Sequence, residues 1–483
     1  MSLSTALSIA QSALMNTARQ TSVVSRNVAD ASNPDYSRRQ AVVTSTAPGA
    51  RSVDIQRTTN DLLFRQNLGA LSAWSGQNAL YSGMDQLGVA VNGVDNASSP
   101  STAIADLQKA LQLYATSPSN QNLGASVIDA AKQVVRSLNE GSKAVQDFRT
   151  QTDGQIATAV DDLNSLLSQF QDANTAVMSG TRSGTDVSDA LDQRDALLKK
   201  ISNYVPVSTF TRGDNDMVIT TGDGTTLFET IPRTVAFAAS AGYTAGAAGN
   251  AVYIDNVPIS AGAGGNTSAS GTLAGLLQLR DGVASTMQSQ LDETARGLIT
   301  AFAETAPSMP NAAGLFTWSG APAISAAGTL VNGLAASISV NAAMDPSSGG
   351  NPTLLRDGGA NGAAYVANTG GASYSTLLIA YGDRLDQPMT FDPAAGISAT
   401  SSVSDYAANS IGWFEGVRQQ ASTASDAKEA LSSRSAEALS NATGVNVDQE
   451  MSLLLDLEHT YQASARMMKT VDDMLTALLN AVG

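Results

Sequence analysis

Cysteine is absent from this 483-residue chain, histidine occurs once, and aromatic residues make up 5% of it. Without a thiol there can be no disulfide framework, thiolate zinc site or cysteine nucleophile. The single histidine, His459, stands beside Glu458 with no second imidazole to complete an acid-base constellation, so a surface or packing role outweighs a catalytic one. Charge is sparse and lopsided. Basic residues number 27 against 43 acidic ones, for a net charge of −16, and no basic stretch exceeds the pairs Arg38-Arg39 and Lys199-Lys200. Such a chain repels nucleic acid and anionic membranes. No run of 18 or more apolar residues occurs, and Met1 to Ala18 has neither a basic n-region nor a continuous apolar h-region. Neither a membrane span nor a cleaved secretory signal is expected.

Two further patterns fall short of a ligand site. Asp214, Asp216 and Asp223 lie among glycines but lack the spacing, central glycine and distal glutamate of a calcium loop, and they read as a polar hairpin. Gly262-Ala263-Gly264-Gly265-Asn266 lacks the Lys-Ser/Thr ending of a phosphate loop and reads as a flexible return. No catalytic residue, metal ligand or cofactor is therefore expected, and the chain is not read as an enzyme.

Small and polar residues and long helical periodicities are what the chain does have. Leu3, Leu7, Ala10, Leu14, Thr17, Thr21, Val24 and Val28 recur at alternating steps of four and three, the period of a coiled-coil seam. This helix should stop near Asn33-Pro34, because proline removes a donor and pushes the residue before it out of the helical region. Residues 33–60 read as turn and extended chain. A second helix is expected from about Asp61, closed by Ser99-Pro100, and a short one from Thr102 to Ala115. From Ile128 to Val177 one stripe persists, interrupted only by Arg149 and Thr152, and a helix of roughly 50 residues would be about 75 Å long.

Between Val205 and Ser270 the period falls to two, with turn signals at Gly213-Asp214-Asn215 and Thr221-Gly222-Asp223-Gly224, which predicts a small antiparallel β domain. Helix resumes from Leu273 to Phe302. A glycine-rich, loop-rich region follows, with strands expected at Ser337–Val340 and Thr376–Ala380. After Val403 the chain is helical again, and its last 37 residues carry Val447, Leu454, Leu457, Tyr461, Ser464, Met468, Val471, Leu475 and Leu478 on one stripe.

Isolated helices of such length are marginal in water and gain stability by packing an apolar face. Each terminal stripe thus needs a partner, and the two ends can supply one another. The expected fold is multidomain and mainly α with β insertions. Residues 1–45 with 441–483 make a coiled-coil core of paired terminal helices. Residues 46–205 with 271–306 and 402–440 make a long-helix bundle, 206–270 an outward β domain, and 307–401 a loop-rich insertion with possible β content. Small side chains such as Ala10, Ala13, Ser464 and Ala465 leave helical surface for neighbouring copies. From periodicity alone an ordinary intramolecular coiled coil outranks polymerisation. If the stripes serve assembly, the interface is Leu3, Leu7, Leu14, Val24, Val28, Leu454, Leu457, Tyr461, Met468, Val471, Leu475 and Leu478. The segment around Pro34 and Tyr36 reverses that ranking.

The segment Asn27-Val28-Ala29-Asp30-Ala31-Ser32-Asn33-Pro34-Asp35-Tyr36 resembles the N-terminal signature of flagellar rod, hook and hook-associated axial proteins, with Asn27, Asn33, Pro34, Asp35 and Tyr36 as its turn. Ser37-Arg38, Leu191-Asp192-Gln193-Arg194-Asp195 and Gly271-Thr272-Leu273-Ala274-Gly275-Leu276-Leu277 are similar to the hook-associated members. Tyr461-Gln462-Ala463-Ser464-Ala465-Arg466 is similar to the family's closing helix. The sequence departs from the signature at Asp30, where asparagine is usual, and at Asp35, where glycine is usual. At Asp35 this leaves the turn type open.

The resemblance implies a structural adaptor of the bacterial flagellum that joins hook to filament by polymerising through its terminal helices. It implies an extracellular location at the hook–filament junction, reached by type III export without a cleaved signal peptide. The implied partners are the hook protein, the second hook–filament junction protein, further copies in a ring, and an export chaperone at the C-terminal helix, with neither nucleic acid nor membrane. The alternatives are another axial protein (hook, rod or second junction protein) and a secreted elongated adhesin.

Overall fold

The computed structural model describes residues 3–46, 50–259 and 268–482, and the Gly262–Asn266 segment lies outside them. The chain divides into two compact units, one made of residues 1–74, 162–235 and 427–483, the other of residues 75–161 and 236–426.

In the first unit, helix α1 (Leu3–Ala29) is followed by the antiparallel hairpin of β1 (Arg39–Thr46) and β2 (Ala50–Arg57), in register from Arg39 opposite Arg57. Helix α2 (Asp61–Asn92) begins here. Its cap is Asn60, whose Oδ1 accepts from Leu63 N at 3.1 Å, satisfying one of the amides a helix start leaves open.

Helices α3 (Pro100–Thr116), α4 (Gln121–Ser183) and α5 (Ser188–Tyr204) come next in the chain. The end of α4 and all of α5 belong to the first unit. So do strands β3 (Val207–Thr211), β4 (Met217–Thr221), β5 (Thr226–Glu229) and β6 (Ile231–Pro232), which form an antiparallel sheet in sequence order. The sheet packs on α4 through Phe228, edge-on to Phe170 at 5.0 Å between centroids. The chain leaves the unit at β7 (Val235–Ala236).

The second unit holds the hairpin β8 (Tyr253–Ile254) and β9 (Val257–Pro258), then α6 (Thr272–Leu277), one π-helical turn (Gln278–Val283) and α7 (Ala284–Ala301). Helix α6 meets α2 backbone to backbone. A Cβ on Gly275 would stand 2.5 Å from Gly76 O, so only glycine allows the approach.

Beyond α7, short elements pack around an aromatic cluster in which the Phe302 ring lies 5.2 Å from Phe316 and 5.1 Å from Tyr381. They are β10 (Phe316–Thr317), α8 (Leu334–Ser337), β11 (Ser339–Val340), α9 (Leu354–Asp357), α10 (Thr376–Asp386), β12 (Met389–Thr390) and β13 (Thr400–Ser401). Helix α11 (Val403–Thr443) starts in this unit and ends in the first, where α12 (Val447–Val482) follows.

The helices expected from periodicity are all present, and the long stripe is a single 63-residue helix. One expectation is corrected. Thr376–Ala380 is not a strand but the start of α10, whose buried residues Leu378, Tyr381 and Leu385 follow helical spacing. A five-residue apolar run cannot distinguish the two periods, and the spacing becomes decisive only when Tyr381 and Leu385 are included.

The two residues that interrupt the long stripe, Arg149 and Thr152, lie inside the second unit. Arg149 donates to Arg280 O at 3.1 Å and to Ala247 O at 2.6 Å, and its guanidinium covers the Tyr243 ring at 4.3 Å. One turn on, the buried Asp153 accepts from Arg280 at 2.5 Å, from Tyr243 Oη at 2.7 Å and from Ser240 N at 2.5 Å. The polar break in the stripe thus fastens the irregular segment around residues 240–250 to α4 and to the π-helical turn.

Candidate functional site

The N-terminal turn is built from its own backbone. Tyr36 N donates to Asn33 O at 3.1 Å, and Asp35 N donates to Asn33 Oδ1 at 3.0 Å. Pro34 therefore occupies the first central position of a β-turn. Asp35 is not among the residues with positive φ, which excludes a type II turn and fits type I. Aspartate thus serves where glycine is usual in the signature.

The turn places Tyr36 against Asn27, which is fully buried in the last turns of α1. Asn27 Oδ1 accepts from Tyr36 Oη at 2.8 Å and from Arg39 N at 3.1 Å, while Nδ2 donates to Arg39 O at 2.8 Å and to Glu450 Oε2 at 3.0 Å. Glu450, 1% exposed in the first turns of α12, also accepts from Arg38 Nε at 2.6 Å. Arg38 N donates to Thr443 O at the end of α11, at 2.7 Å. One asparagine and one glutamate therefore join α1, the turn, the hairpin and the α11–α12 corner. Burial pushes the Tyr36 hydroxyl up to about 12, against the downward pull of Arg39, so it stays a donor throughout the physiological range.

Helix α5 supplies the counter-charges. Asp189, Asp192 and Asp195 recur every three residues along it. Arg39 donates to Asp189 at 2.5 Å and Asp192 at 3.1 Å, and Arg57 donates to Asp192 at 2.7 Å and Asp195 at 2.5 Å. Burial pushes the Asp192 carboxyl up despite both arginines. Lys199 reaches Asp35 at 2.8 Å. The open end of the hairpin, where Arg39 and Arg57 face each other, and the turn are thus held to α5.

Glu450 leads into the pairing of the terminal helices. The end of α1 meets the start of α12, and the two pack together antiparallel. Of the residues expected at an assembly interface, Val24, Leu457 and Val471 are buried. Leu7, Leu14, Val28, Leu454, Met468 and Leu475 are half-buried. Tyr461 and Leu478 are 49% and 55% exposed. The Leu3 side chain lies outside the described residues. Beside the seam, Met451, Leu453, Leu455, Met467, Met474 and Leu479 are also exposed, so α12 keeps apolar surface that α1 does not cover.

Arg39, Arg57, Asp189, Lys199 and Glu450 were not anticipated as parts of this node. The Arg38-Arg39 pair and the three-residue recurrence of aspartates on α5 were the available signals; Glu450 gave none.

Nothing in this arrangement resembles an active site. His459 is exposed on α12. The acids of the polar hairpin are engaged by the protein itself, Asp214 with Arg182 at 2.7 Å and Asp216 with Arg212 at 2.7 Å and Asn174 at 2.8 Å. Among the described residues no helix is long and apolar enough to cross a membrane. Polar groups that elsewhere would do chemistry are here committed to fixing helices, turn and hairpin against each other, the arrangement of a structural protein that presents helical surface.

Comparison with known proteins agrees. The family model for the flagellar hook-associated protein FlgK helical domain matches residues 85–307, and that for the flagellar basal body rod FlgEFG protein C-terminal region matches residues 438–481. Flagellar hook-associated protein 1 of Bacillus subtilis (strain 168) is 22% identical over 520 residues, covering 99% of this chain and 97% of that protein. The flagellar hook junction protein FlgK from Burkholderia pseudomallei is similar in structure at a TM-score of 0.42 and 20% identity, over 53% of this chain and 47% of that one. Residues 85–307 match the helical domain of flagellar hook-associated proteins and the whole chain is similar to one of them, a structural family and not an enzyme family.

Proposed function

We propose that this chain joins the flagellar hook to the filament, and that it assembles through the paired helices α1 and α12. The observation that carries the reading is the node of Asn27, Tyr36, Arg38 and Glu450, which fixes the start of α12 against the end of α1 while apolar residues along α12 remain uncovered. A helix pair of fixed geometry with residual apolar surface is suited to repeated contacts between identical copies. In this reading Leu7, Leu14, Val24, Val28, Leu454, Leu457, Met468, Val471 and Leu475 hold the pair together, while Tyr461 and Leu478 face neighbouring subunits.

The partners in this reading are the hook protein on one side, the second junction protein on the other and further copies around the ring. An export chaperone would cover the apolar face of α12 before assembly. The chain acts outside the cell and leaves it through the flagellar export channel. Antibody labelling of isolated flagella tests this: a thin band at the hook end is expected, and labelling along the filament or the hook overturns it.

A further inference from the structure

Most buried carboxylates of this chain face a cation, as Asp153 faces Arg280 and Glu293 faces Arg296. Asp292 on α7 is 1% exposed and has no ion pair among the described residues. Neutral donors alone hold it: Gly333 N at 2.9 Å, Ala335 N at 2.8 Å and Gln288 Nε2 at 3.0 Å. A carboxylate so placed has lost its water without gaining a counter-charge, which favours the protonated form. Burial, with repulsion from Glu293 beside it, outweighs the three donors and pushes Asp292 up to about 6.

The other charged groups on the elements around Asp292 are committed elsewhere. Glu293 pairs with Arg296 and accepts from Asp392 N at 2.7 Å, while Asp392 itself accepts from Leu330 N at 2.9 Å. On α4, Lys132 pairs with Asp345, and Arg149 donates to Gln146 Oε1 at 3.2 Å. Arg280 of the π-helical turn pairs with Asp153, and α8 carries no titratable residue.

Both backbone donors come from one irregular segment. Asp392 holds it at Leu330, and Asn139 holds it through Ala335 O at 2.6 Å and Ile338 O at 3.3 Å. Asp292 is the fastening between them, at Gly333 with its φ of 80°. The segment touches residues 245–246, since a Cβ on Gly246 would stand 2.3 Å from Asn332 Nδ2. Arg149 holds that second segment through Ala247 O, and Gln146 Nε2 donates to Gln288 Oε1 at 2.8 Å, so one row of hydrogen bonds runs from Arg149 to Asp292 beneath both segments.

We propose that Asp292 is a pH-sensitive latch on residues 330–338, holding them most firmly when its carboxyl is protonated and releasing them more readily once it is ionised. Opening the segment returns the carboxyl to water and to the ordinary aspartate range. The closed state therefore binds the proton more tightly than the open one, and acid favours closure. The effect grows as pH rises from about 4 and levels off above about 6, where opening is on the order of a hundredfold more frequent than in acid.

Amide exchange of the full-length chain tests this, measured by mass spectrometry between about pH 4.5 and 7.5 and corrected for intrinsic exchange, with α3 as the internal reference. Protection of residues 330–338 should fall about twentyfold across that range and level off above pH 6. Asp292→Asn should abolish the pH dependence. Gln288→Met, which removes a donor to the ionised carboxyl, should carry the fall to higher pH. Wild-type protection that does not vary with pH overturns the latch, and so does an equal fall in α3, which would mean that the unit opens as a whole. A wild-type pH dependence in Asp292→Asn also overturns it. If Asp292→Asn does not fold, Gln288→Met decides: levelling off at the wild-type pH overturns the assignment to Asp292.

Discussion

Asn27 makes four hydrogen bonds, two accepted by its carbonyl oxygen and two donated by its amide, which is the full capacity of an asparagine side chain. Aspartate would supply no donor and would face Glu450 with a second carboxylate, so the residue type follows from the site and not only from helix-end propensity. Tyr36 is the partner whose protonation can be read. Its folded pKa is raised to about 12 from an ordinary value near 10, so the unfolded chain releases the proton first. The stabilising contribution is complete below about pH 10 and is lost as pH rises toward 12. Tyr36→Phe is expected to cost about 1 kcal/mol near neutral pH. It should also flatten the decline of stability between pH 10 and 12 relative to wild type, as measured by urea unfolding; an unchanged slope would show that the hydroxyl is not held in its neutral form by the fold.

Among the elements, the long helix shows how far periodicity reaches. Its apolar stripe was legible from Ile128 to Val177, and so were both seams, because 3.6- and 3.5-residue periods sum over many turns. Arg149 was visible only as a break in the stripe. Its meaning depends on Arg280 and residues 240–250, more than 90 positions away, and no local pattern encodes that pairing. The helix α10 was misread for the opposite reason, an apolar segment too short to show its period. The π-helical turn left no sequence mark at all, although it places Arg280 within reach of Asp153. That ion pair is fully buried, so removing Arg280, which also pairs with Asp281, leaves Asp153 without its counter-charge. Arg280→Met should destabilise the second unit by about 3–5 kcal/mol, and Arg280→Met with Asp153→Leu should recover a large part of the loss. Thermal unfolding of the two single variants and the double variant measures this coupling; additive losses would mean that the pair is not an energetic unit.

For the whole molecule, the chain begins and ends in the same unit, so the N-terminal signature and the C-terminal helix act as one structure although more than 400 residues separate Asn27 from Glu450. The fold class and the pairing of the ends could be inferred from two matching seams; the node that sets their relative height could not, since it depends on one glutamate among 43 acidic residues. Leu457 probes the consequence, because it is buried in the seam and a carboxylate there must be desolvated without a partner, at a cost of several kcal/mol. The chain can avoid that cost only by separating α12 from α1. Leu457→Asp should therefore lose amide-exchange protection in residues 7–28 and 454–475 while residues 75–161 and 272–301, which have a separate core, keep theirs. In cells the variant should be exported and recovered from the medium while hooks remain without filaments. Wild-type protection of α1 in this variant would show that α12 is not what holds it, and the terminal pair would lose its place as the structural basis of assembly.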